Sequence, residues 1–110
     1  MLMKTITDIE AKIENTCLMK EEDKTDLLNL ISTLKSEISE LSKTHAEQAQ
    51  SITNFAQVST HEATREQKNT NLMEVSLTGL TSSVDEFENT HPKLVETVNR
   101  ISQILANMGI

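Results

Sequence analysis

Residues 73–110 read MEVSLTGLTSSVDEFENTHPKLVETVNRISQILANMGI, and their spacing decides the fold. Met73, Leu77, Leu80, Val84, Phe87, His91, Leu94, Val98, Ile101, Leu105 and Met108 follow one another at alternating steps of four and three. That spacing holds side chains on one stripe of a helix that faces a partner helix. His91 is the only polar member. Two residues weaken the helix while the pattern keeps its phase. Gly79 costs about 1 kcal/mol relative to alanine inside a helix, which implies either close backbone approach or slack. Pro92 lacks an amide hydrogen and would clash with the carbonyl of Glu88 in a straight helix, so a break or kink falls at residues 89–91. The reading is one helix over about 71–89 and a second over about 92–108. Gly109 can end the latter in a left-handed cap, with Ile110 against Leu105.

Upstream, a second stripe runs through Leu27, Ile31, Leu34, Ile38, Leu41, His45, Gln48, Ile52, Phe55 and Ser59. Glu21, Glu22 and Asp23 mark its start, because acids sit well on the positive end of a helix dipole. No glycine or proline lies between Lys20 and Asn71, which predicts one helix over about 21–66, roughly 65 to 70 Å long at 1.5 Å per residue. Residues 42–51 offer only alanines as apolar material, so a loop there is the alternative. Residues 67–70 form the turn, with Asn71 and Glu74 as a capping pair. At the start of the chain Leu2, Ile6, Ile9 and Ile13 make a short amphipathic helix over about 2–16.

These elements give an all-α chain of one domain, residues 1–110: an antiparallel helical hairpin or coiled coil with a short N-terminal helix. Two glycines and one proline in 110 residues supply almost none of the turns that a β or α/β fold needs. A turn centred near residue 68 pairs positions that sum to about 137. Ile52 then faces the neighbourhood of Val84, Phe55 that of Leu80, Leu34 that of Ile101 and Leu105, and His45 that of His91. The first helix lies at the open end, against Leu27, Ile31, Leu34, Val98, Ile101 and Leu105. A compact chain of this size has a radius of gyration of only about 13 Å, so the long helix is expected to project as a stalk. A bare helix pair buries too little to offset roughly 1 to 2 kcal/mol of backbone entropy per residue. The reading is therefore a homo-oligomer, most simply a dimer forming a four-helix bundle.

Composition bears on function mainly by exclusion. A net charge of −7 and only two aromatics disfavour nucleic acid, whose binding needs clustered cations and stacking rings. No apolar run approaches the roughly 20 residues that span a bilayer. Cys17 is the single cysteine, so no intrachain disulfide forms, and a cytoplasmic location is expected. Of the three histidines, His61 lacks the second histidine of a zinc helix. His45 and His91 are the candidate ligands of a metal or small molecule, with Glu47 or Glu88 as a third; a polar layer setting helix register is the commoner meaning of such a pair. No serine, cysteine or carboxylate pair has a catalytic arrangement, and no cofactor is expected. The functional expectation is a non-enzymatic structural or protein-interaction module, self-associating through Leu27, Ile31, Leu34, Ile38, Leu41, Ile52, Phe55, Leu77, Leu80, Val84, Phe87, Leu94, Val98, Ile101 and Leu105. The alternative is a ligand- or metal-binding bundle using His45 and His91.

Phe87, Glu88, His91, Pro92, Leu94 and Asn99, followed by Asn107, Met108, Gly109 and Ile110, resemble a family of small uncharacterised bacterial proteins. Their sequences carry a Phe-Glu, His-Pro-x-Leu segment and end on Gly-Ile. The opening, a short helix and then a second after an acidic turn, is similar as well. The resemblance covers about residues 1–40 and 80–110, while residues 42–72 are longer than the family suggests. It implies a bacterial cytoplasmic helical protein, a domain of unknown function, and supplies no substrate or catalytic residue.

Overall fold

Glu21, Glu22 and Asp23 open a helix where expected, but that helix ends at Ser42. The computed structural model describes residues 2–109. Among them the elements are α1 (Leu2–Asn15), α2 (Glu21–Ser42), α3 (Ala46–Thr64), α4 (Thr70–Ser82), a 3-10 turn at Asp85–Phe87, and α5 (Pro92–Gly109), with no strand. The chain is all-helical. The expected contact of Ile110 with Leu105 lies outside the described residues.

The single helix predicted over 21–66 is two helices. Lys43 keeps helical angles, but His45 leaves them at φ −135° and ψ 61°. The amides of Thr44 and His45 both donate to the Leu41 carbonyl, at 3.2 and 2.8 Å, and close α2. Local chemistry does not demand this break. Tertiary burial does: once turned back, α3 packs against α1, α2, α4 and α5 at once, a gain that outweighs the small preference for continuing a helix.

The second arm breaks at a matching level. The helix predicted over 71–89 stops at Ser82 and tightens into the 3-10 turn. Pro92 then stands at the first position of α5, where its missing amide would have had no partner inside the helix. At the other end, α4 starts earlier than expected. Asn69, rather than Asn71, is the cap, its side-chain oxygen accepting from the Leu72 amide at 3.0 Å.

The distal halves of both arms thus lie back against the proximal halves. The radius of gyration is 12.9 Å and the extents are 37 × 24 × 23 Å, so no stalk projects. The position of α1 changes accordingly. Instead of resting on α2 and α5, it packs on α2 and α3, burying Ile6, Ile9 and Ile13. Lys24 ties off its end, donating to the carbonyls of Glu14 and Thr16 at 3.2 and 2.9 Å, as a cation at a helix C-terminus does.

The core contains most of both stripes. Leu27, Ile31, Leu34, Ile38, Leu41, Ile52, Leu80, Val84, Phe87, Leu94, Val98, Ile101 and Leu105 are buried, and Leu77 is packed against them. Periodicity alone implies a second copy to cover these ridges; one chain buries them by folding its arms in half. Phe55 is the exception. The face that α3 buries is Ala49, Ile52, Thr53, Ala56, Ser59, Thr60 and Ala63, which turns Phe55 outward. Small side chains let the central helix approach four neighbours, and the threonine hydroxyls are satisfied locally, Thr53 by the Ala49 carbonyl at 2.8 Å and Thr60 by that of Ala56 at 2.9 Å.

Candidate functional site

Two places could carry function: the layer of rings where both arms break, and the outer side of the α3/α4 pair. The ring layer comes from equivalent positions of the two arms, since a Thr-His pair precedes α3 at Thr44 and His45 and precedes α5 at Thr90 and His91. Phe87 meets both histidines edge to face, with centroids 5.3 Å from His45 and 5.5 Å from His91, and the two imidazoles are 6.5 Å apart. Each histidine has its Nδ1 engaged by the threonine before it, at 2.8 Å from Thr44 Oγ1 and 3.0 Å from Thr90 Oγ1.

The structure therefore brings His45 and His91 together but adds no third donor. Among the described residues no group of three or more His, Cys, Asp or Glu is placed to hold a metal ion. His61 lies elsewhere, on the α1 side, where Lys12 Nζ donates to its Nδ1 at 3.1 Å. The depressions nearest the ring layer are open. One of about 610 Å³ involves Glu88, Pro92, Glu96 and Arg100, and one of about 420 Å³ involves Glu47, Phe55, Gly79 and Glu86.

The second of these lies between α3 and the end of α4. Phe55 lies on Gly79: a Cβ there would sit 2.9 Å from Phe55 Cζ and closer still to Cδ1 and Cε1. Of the two explanations for this glycine, close approach is the one observed. Farther along, the same side carries Val58 from α3 and Val75 and Leu72 from α4. Phe55 is 38% exposed, Val58 47%, Leu72 47% and Val75 68%. Scattered exposed aliphatics are ordinary on protein surfaces, but four that share one helix seam form a patch. The seam residues read from the sequence are inside the core, apart from Phe55 and the partly buried Leu77, and that reading omits the other three members of this patch. A signal exists for two of them, since Leu72, Val75 and Gly79 recur at steps of three and four beside the dominant stripe of Met73, Leu77 and Leu80.

No helix among the described residues is long and apolar enough to cross a membrane. No curated protein and no solved structure matches the chain. Residues 27–110 match the family described as Domain of unknown function (DUF4404). The match runs unbroken through residues 42–72, where the resemblance read from the sequence is interrupted, and leaves out residues 1–26, which that resemblance includes. By that match over most of its length, the chain belongs to the DUF4404 family, a domain of unknown function.

Proposed function

We propose that this protein is a non-enzymatic interaction module whose docking face is the outer side of the α3/α4 pair, and that the face takes a second copy of itself. The observation that carries the reading is the exposure of Phe55, Val58, Leu72 and Val75 on the α3/α4 pair; among the described residues Leu18 is the one other exposed large apolar side chain. Charge favours a copy laid antiparallel across a two-fold axis. Glu47 and Glu86 stand at one end of the pair, whereas at the other Arg65 is held by Glu62 at 2.7 Å and Lys68 in the turn is the cation that would face those acids. The antiparallel pairing sets the acids of one copy over the turn of the other, and a parallel pairing would stack acid on acid. A patch of this size supports a weak dimer, with Kd on the order of 1 to 100 µM.

Sedimentation equilibrium across that range tests the reading. The unaltered protein should gain mass with concentration, and Val75→Glu, at an exposed position, should stay monomeric with unchanged helicity. A monomer at every concentration, or a Val75→Glu variant that associates equally well, refutes it.

A further inference from the structure

The two breaks in the arms have the build of a hinge. In the first, Lys43 keeps helical angles of −67° and −29° and His45 is the residue that departs; no glycine or proline lies there. In the second, Ser83, Val84 and Glu88 all stay in the right-handed helical region, and the His91 amide donates to the Phe87 carbonyl at 2.7 Å. A 3-10 stretch between helical segments often marks a hinge. Few dihedrals separate the first arm from a straight helix, and the second from an extended one that stays kinked at Pro92.

The core-facing pattern also ignores the breaks. Leu34, Ile38, Leu41, His45, Ala49 and Ile52 run through the first break at steps of four and three, with the hinge histidine in phase. Val84, Phe87, His91 and Leu94 do the same through the second. An extended arm, straight at the first break and kinked at Pro92 in the second, keeps its stripe on one side.

We infer that a second copy of this chain can exchange the α3/α4 limb. The molecule opens at both hinges together, and α3 and α4 of one copy pack on α1, α2 and α5 of the other, remaking between chains the contacts that one chain makes within itself. Short hinges invite such an exchange. The open arm from Glu21 to Thr64 would reach about 65 Å, against 37 Å for the longest dimension of the closed molecule. This exchange does not use the outer face of Phe55, Val58, Leu72 and Val75, so the inference stands apart from the proposed docking face.

Crosslinking between copies tests it, in a background of Cys17→Ser and Val75→Glu that removes the exposed thiol and blocks the docking face. One population carries Lys12→Cys and the other His61→Cys, positions that touch across α1 and α3. They are mixed, incubated and treated with a short bis-maleimide, and a chain carrying both cysteines shows that the reagent spans the gap. Thr44→Ala with His45→Ala favours the straight helix and should raise the crosslinked heterodimer about fivefold. Ala46→Pro, which copies the placement of Pro92 and leaves both extended arms kinked, should lower it severalfold. Overturning results are no heterodimer with Thr44→Ala/His45→Ala although the doubly substituted chain crosslinks internally, or equal heterodimer with Ala46→Pro.

Discussion

Replacing Gly79 by alanine should have opposite effects depending on what stands at position 55. Inside a helix the change alone favours alanine by about 1 kcal/mol. In this protein the added methyl falls on the Phe55 ring, 2.9 Å from Cζ and closer to two other ring atoms. The ring must move off the seam, and overpacking of that kind costs about 1 to 3 kcal/mol. Gly79→Ala should therefore leave the protein between unchanged and about 2 kcal/mol less stable. In a Phe55→Ala background the obstruction is gone, and the same substitution should stabilise by about 1 kcal/mol, roughly 4 °C in Tm. Urea unfolding of the four proteins of this cycle, at concentrations too low for association, gives a coupling of about 1 to 3 kcal/mol. Equal stabilisation by Gly79→Ala in both backgrounds would refute the close approach of ring and backbone.

Asn69→Ala removes the side-chain acceptor of the Leu72 amide and should destabilise by about 0.5 to 2 kcal/mol; Asn71→Ala, inside α4, should do less, and the reverse order in urea midpoints would place the cap where the sequence suggested. Zinc or nickel should leave the thermal midpoint unchanged, since His45 and His91 come together without a third donor. A rise of several degrees that His91→Ala erases would establish a metal site.

The stripes, the acidic start of α2 and the break at Pro92 were legible because each depends on neighbours in sequence. A proline suits the first turn of a helix and disfavours its interior, and Ile31 or Leu34 must find cover somewhere. The break at His45 was not legible in the same way. Its cause is the packing of α3 among four helices, and the residues that allow it, Ala49, Ala56, Ser59, Thr60 and Ala63, resemble a weak or solvated segment when read for apolar mass. The same oversight sent Phe55 to the core: the heptad step favoured it, but the face of small residues beside it is the one that α3 buries. The meeting of His45 with His91 did follow from the pairing register, since folding the arms in half brings both breaks to one level.

The slenderness of α3 reaches beyond its own contacts. Helices are about 10 to 12 Å across with their side chains, and the molecule measures only 24 × 23 Å in section, so the middle rod works without clearance. Ala49, Ala56 and Ala63, all buried, act as ceilings on bulk: a larger side chain there overpacks, whereas a smaller one at the leucines and isoleucines around them leaves a void. A redesign that fattened the middle rod would spread its neighbours instead of filling a void.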